Sequence, residues 1–110
     1  MMRGGYVVSR RRRGPSFLNV VRALTALYEA ETSEVTRGQL STMSEIPKST
    51  IYNSPLLDFL CEMRLVERRE REGQLFFAIT TDGRTLVRCL EKTGLLPRIL
   101  SFARHGEGTF

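Results

Sequence analysis

The apolar residues Phe17, Val20, Val21, Leu24, Leu27 and Tyr28 recur every three or four positions. That is the spacing of one helical face and predicts a helix over residues 17–31. Ser16, just after Gly14-Pro15, stands where an N-cap belongs. Asn19, Arg22, Ala26 and Glu29 mark a narrow outer stripe, while Leu18 and Ala23 widen the apolar side beyond what one core contact uses. A face that wide is expected to be covered twice, by the core and by a partner chain.

Glu34-Val35 follows as a short strand. Thr36 and Gln39 have capping-box spacing and start a second helix, with Leu40 and Met43 pointing inward. Pro47 keeps the residues before it out of helical geometry, so Ser44-Glu45-Ile46 is a turn with Ile46 plugging its angle. From Lys48 the pattern is interrupted by Ser54-Pro55. Inside a helix that proline would cost about 3 kcal/mol. With Ser54 as a new N-cap and Pro55 as first helical residue, the segment becomes two short helices, Lys48–Asn53 and Pro55–Arg64, or one kinked helix. Leu56, Leu57, Leu60 and Met63 form the buried stripe of the second piece.

Residues Leu65–Arg69 and Gln74–Thr80 read as a hairpin around Arg71-Glu72-Gly73, with Leu75, Phe77 and Ile79 alternating with Gln74, Phe76 and Ala78. Its tip, residues 68–72, is charged throughout. Thr80 or Thr81 caps a further helix with Leu86, Val87 and Leu90 inward, ending at Gly94. Leu95, Leu96, Ile99, Leu100 and Phe102 then make an apolar tail in which Pro97 starts one more turn. So many large apolar side chains predict a packed tail.

A capped helix, a tight turn, a second helix and a charged hairpin, in that order, are the parts of a winged helix-turn-helix. The expected fold class is therefore α+β and mostly helical: a three-helix core, a β-hairpin wing and an additional C-terminal helix. The chain divides into a basic arm at 1–15, a winged-helix domain at 16–94 and an apolar tail at 95–110, packed on the domain or at a dimer interface.

Three segments carry a family resemblance. Ile46-Pro47-Lys48-Ser49-Thr50-Ile51-Tyr52 resembles the turn into a recognition helix, Arg64-Leu65-Val66-Glu67-Arg68-Arg69 the exit into the first wing strand, and Ile79-Thr80-Thr81-Asp82-Gly83-Arg84 the helix after the wing. Together they resemble winged-helix transcription regulators, especially small bacterial and archaeal ones of the MarR, PadR and ArsR type. The resemblance implies a regulator that places its recognition helix in the major groove of duplex DNA. Two departures stand out. The recognition segment is longer than usual and contains Pro55, and Arg64 stands where such proteins have a helix-ending glycine.

Charge sharpens this picture. The formal net charge is +5, and residues 1–13 alone hold five arginines (Arg3 and Arg10 to Arg13) and no acid. The remaining basic and acidic side chains cancel, so the excess belongs to the arm. A positive tail is the footprint of a polyanion binder, or else a solubilising extension. Fifteen of the 17 basic residues are arginine. That bias fits phosphate contact, ion-pair networks in a thermophile, or a GC-rich genome.

On duplex DNA, Arg10, Arg11, Arg12 and Arg13, with Arg68, Arg69 and Arg71 of the wing, are expected on phosphates. Four contacts from the arm would give a salt slope of about −3.6. The arm could also enter a narrow minor groove. Lys48, Ser49, Thr50, Tyr52 and Asn53 are the candidates for base edges, where Asn pairs adenine and Ser or Thr bond to several bases. Plainer roles stand beside these: a packed ring for Tyr52, helix capping for Ser49 and Thr50, and ion pairs with Glu67, Glu70 and Glu72 for the wing arginines.

The expected partners are double-stranded DNA and a second copy, whose recognition helices would meet a palindromic site about 34 Å apart. A winged helix used as a protein adaptor of the transcription machinery, or as a non-specific architectural DNA binder, is the alternative. Cys61 and Cys89 are candidates for a disulfide, within or between chains. With one histidine they fall short of a structural zinc site, and neither a metal nor any other cofactor is expected. No Gly-rich phosphate loop or nucleophile motif is present, so an enzyme is not expected, and no small-molecule effector is identifiable. No apolar run approaches the roughly 20 residues of a membrane span. The early charges follow rather than precede the short apolar piece, unlike a secretory signal. A cytoplasmic, nucleoid-associated protein is expected.

Overall fold

Ser16 starts the first helix, α1 (Phe17–Glu29), by accepting a hydrogen bond from the Asn19 backbone N–H at 3.0 Å. The computed structural model describes residues 15–101; Arg10 to Arg13 and the end of the apolar tail lie outside them. Helix α2 (Arg37–Ser44) opens with the expected capping box: Gln39 N–H donates to Thr36 Oγ1 at 3.2 Å, and Thr36 N–H donates to Gln39 Oε1 at 2.9 Å. Glu45 ends it in the left-handed region, with φ of 64°. Ser41 Oγ then donates to the Ile46 carbonyl at 2.6 Å, holding Ile46 in the angle of the turn, where it is buried.

The proline resolves as a break. Helix α3 (Lys48–Asn53) stops at Ser54, and α4 (Leu56–Glu62) starts after Pro55. One hydroxyl serves both ends: Ser54 Oγ donates to the Thr50 carbonyl at 2.6 Å and accepts from Leu56 N–H at 3.2 Å. The carbonyl of Pro55 accepts from Phe59 N–H at 2.8 Å, so the ring sits where its missing donor costs nothing.

Strands β1 (Val66–Arg71) and β2 (Gln74–Ile79) pair antiparallel, with Val66 opposite Ile79 and Arg71 opposite Gln74. Glu72 and Gly73 make the turn with φ of 52° and 81°. Two positive values are what a tight two-residue hairpin needs, and they let β1 run two residues past its predicted end. Val35 donates its N–H to the Phe77 carbonyl at 2.9 Å and accepts from Phe77 N–H at 2.8 Å, so the anticipated Glu34-Val35 strand is reduced to a single bridge on the far edge of β2. Helix α5 (Thr81–Lys92) follows, capped by Thr80 Oγ1, which accepts from Gly83 N–H at 3.1 Å. Residues 95–101 are helical again.

Leu24, Leu40, Ile46, Leu56, Leu60, Phe77 and Val87 are each no more than 1% exposed and form the centre of the core. At about 1.5–3 kcal/mol for each large side chain taken from water, these contacts hold the short helices that propensity alone would leave unfolded. Leu96 is buried against the same core, with Ile99 and Leu100 half-covered beside it, whereas Leu95, also expected to be packed, is exposed.

Several expected directions differ. Ala26 is buried, not on the outer stripe of α1, and Phe17 is exposed, because the turn carrying it precedes the packed turns. Met43 is exposed: in the eight-residue α2, Leu40 takes the inward position and Met43 turns toward the side. Met63 lies past the last turn of α4, and Leu86 sits beside the Gly83–Val87 line that faces the core, so both reach solvent. Ala78, expected outward, is buried at the base of the hairpin. No described helix is long and apolar enough to cross a membrane.

Candidate nucleic-acid interface

The break at Ser54-Pro55 leaves α3 as a six-residue helix whose inner side is Ile51 and whose outer side carries the predicted base readers. Lys48, Ser49, Tyr52 and Asn53 are exposed and lie at three- and four-residue spacings, so they share one surface. Thr50 is half-buried, and its carbonyl holds Ser54. Pro47 precedes the helix without any side-chain cap, so the capping role considered for Ser49 and Thr50 is not taken up.

Tyr52 lies against α2. The Arg37 guanidinium stacks over its ring, 4.5 Å from the centroid. Arg37 is not among the residues expected at the interface. One signal was there: a cation in the first turn of a helix opposes the helix dipole, and a broken local rule often marks a functional position.

The wing arginines divide between two faces. Alternation along β1 puts Arg68 opposite Phe77 on the core-facing side, and Arg69 and Arg71 on the reverse. Arg68 donates to Asp58 of α4 at 2.8 Å, tying the wing to the helix that follows the break. On the reverse face, Arg69 (3.1 Å) and Arg71 (2.6 Å) both bind the Glu34 carboxylate, whose side chain is only 10% exposed. Arg69 also reaches Glu67 at 3.2 Å, and Arg71 lies over the Phe76 ring. Hydrogen bonds to Glu67 and then Glu34 raise the Arg69 pKa above its ordinary value. The foreseen mixing of wing charges is thus realised, but Glu34 and Asp58, distant in sequence, are the main partners beside Glu67.

Cys61 on α4 is half-buried and Cys89 on α5 exposed; both are free thiols, so no disulfide joins them within the chain. Burial pushes the Cys61 thiol up, partly opposed by the neighbouring Arg68 charge. Among the described residues no cluster of His, Cys, Asp and Glu could hold a metal ion.

Helix, turn, helix and hairpin, with the Val35 bridge on the hairpin's edge, make a winged helix-turn-helix. No family model matches the sequence, and no curated protein does. Solved structures do share the arrangement, and they include regulators of the MarR family. A MarR family transcriptional regulator from Silicibacter pomeroyi is 20% identical, with 86% of this chain and 59% of that one covered at a TM-score of 0.61. BpsR from Bordetella bronchiseptica, whose DNA binding is regulated by 6-hydroxynicotinic acid, is 17% identical over 91% of this chain and 78% of its own, at 0.62. The Staphylococcus aureus regulator MepR, solved in complex with DNA, is 16% identical over 96% and 82%, at 0.58. The fold of this chain is the MarR-like winged helix, and the chain spans about three fifths of the Silicibacter regulator.

Proposed function

We propose that the protein is a double-stranded DNA-binding transcription regulator. In this reading, α3 enters the major groove with Lys48, Ser49, Thr50, Tyr52 and Asn53 toward base edges. The wing lies alongside on the backbone through Arg68, with Arg69 and Arg71 on its reverse face. Arg10 to Arg13 add phosphate or minor-groove contacts. The observation that carries it is the exposed outer side of α3, where polar and cationic groups are held out by the buried Ile51. The likeness to a MarR family regulator and to MepR solved on DNA supports the same reading. A homodimer completes it, with the exposed Phe17 and Leu95 contributing apolar surface for pairing.

The test is fluorescence anisotropy of labelled duplex against salt, for the natural chain and for a variant with Arg10 to Arg13 changed to glutamine. Binding whose salt slope falls by about three to four units in the variant supports both the module and the role of the arm. A second reading, a protein adaptor, is favoured by the apolar groove lined by Ala30, Val35 and the exposed Met43. Absence of duplex binding at low salt by either protein would move the conclusion to the adaptor.

A further inference from the structure

Arg37, Tyr52, Ser54, Asp58, Arg68 and Phe77 line one cavity of about 260 Å³ between the start of α2, the broken recognition segment and the wing. Two arginine residues therefore line a single cleft, one from α2 and one from the wing. Arg68 is held there by Asp58. Arg37 has no carboxylate partner among the described residues; an aromatic face positions it instead. That difference matters chemically. A ring stacked on a guanidinium occupies its face and leaves the N–H donors, which lie in its plane, free to bind an anion. Planar donors of this kind match a phosphate in a two-pronged contact. The position itself, in the first turn of α2, is electrostatically unfavourable for a cation in the free protein, and an arriving anion would relieve that cost.

We infer that this cleft seats one backbone phosphodiester of duplex DNA, with Arg37 as its main ligand, Arg68 as its second, and Tyr52 as the residue that positions Arg37. The inference rests on the DNA-binding reading above and deepens it. Tyr52 acquires a double role: its edge borders the reading surface of α3, and its face fixes a phosphate contact on the neighbouring helix. A phosphate so clamped sets how deeply α3 enters the groove.

The experiment is duplex anisotropy against salt on full-length variants. Arg37→Gln is expected to make the salt slope shallower by about 0.9 and to weaken binding similarly on unrelated sequences. Arg37→Lys, which keeps the charge without the planar fork, should keep the slope while losing affinity. Tyr52→Leu should reduce the slope as Arg37→Gln does, the double variant should go no further, and Tyr52→Phe should restore it. A merely structural Tyr52 would not make the two effects non-additive in this way. If the natural chain binds duplex and Arg37→Gln leaves its slope unchanged, the phosphate seat is overturned while the DNA-binding reading stands. If the natural chain binds no duplex, both fall together.

Discussion

Arg68 of the wing donates to Asp58 Oδ1 of α4 at 2.8 Å, and both side chains are well exposed, at 47% and 72%. An ion pair that open contributes little to folding, at most about 1 kcal/mol. Its effect on binding should be larger, because Asp58 competes with any phosphate for the same guanidinium. Asp58→Asn is expected to leave the melting temperature nearly unchanged and to tighten duplex binding, steepening the salt slope by up to about one unit. Weaker binding by Asp58→Asn would show that the pair holds the wing in its working position.

Arg64 occupies the left-handed region at φ 62°, with its carbonyl accepting from Thr80 Oγ1 at 2.7 Å. A side chain there costs about 1–2 kcal/mol, against less than about 1 kcal/mol of extra chain entropy for glycine. Arg64→Gly should therefore stabilise the protein by about 0.5–1 kcal/mol, read as a rise of a few degrees in thermal unfolding. A fall would mean that the exposed Arg64 side chain contributes more than its backbone strain removes.

Gly83, in the first turn of α5, has the opposite sensitivity. A Cβ at this position would collide with the Leu65 carbonyl and come within 2.7 Å of Ile79 Cγ1. Gly83→Ala should cost about 2–4 kcal/mol, since a backbone carbonyl and a core side chain must both move. Urea unfolding would show it, and a change below about 1 kcal/mol would refute the close packing of α5 on the strand.

Thr25 lies buried in α1 with its hydroxyl unpartnered. Valine has the same shape without the polar group, so Thr25→Val should stabilise by about 1 kcal/mol. Loss of stability would reveal a hydrogen bond made in solution, for example to a bound water.

The two thiols should separate by reactivity. Cys61 has its pKa raised by burial, while Cys89 is exposed. At pH 8, iodoacetamide is expected to modify Cys89 first, as followed by mass spectrometry. The sign for stability follows from the same shift. A thiol whose pKa is higher in the folded state favours folding below its unfolded pKa, about 8.5, and loses that contribution as pH rises through the folded value. Cys61→Ala should flatten the alkaline decline.

Local signals in the sequence were enough for most of the fold. Ser16, the Thr36–Gln39 box and Thr80 each act within four residues and appear in the structure as read; the Ser54-Pro55 break also appears, but with Pro55 at the cap position and the second helix shortened to Leu56–Glu62. Side-chain direction on short helices was less legible. In α2 one buried position, Leu40, satisfies the core, and periodicity could not say that Met43 would turn away. The ion partners were illegible for a different reason. Glu34 lies 35 residues from Arg69, and only the pairing of Val35 with Phe77 brings them onto one face. The stacking of Arg37 on Tyr52 likewise depends on how α2 meets α3, which no spacing encodes.

The shortness of α3 has a consequence for information. Six residues at 1.5 Å each make a rod of about 9 Å, which spans two or three base pairs of a duplex rising 3.4 Å per step. Three fully read base pairs distinguish only about 64 addresses. A single protomer therefore carries too small a vocabulary to find one place in a genome. The proposed second protomer would multiply that vocabulary to about 4,000, and the proposed arm contacts would extend it further. On the proposed reading, the recognised word would be assembled from copies and appendages, and the helix would supply only a syllable.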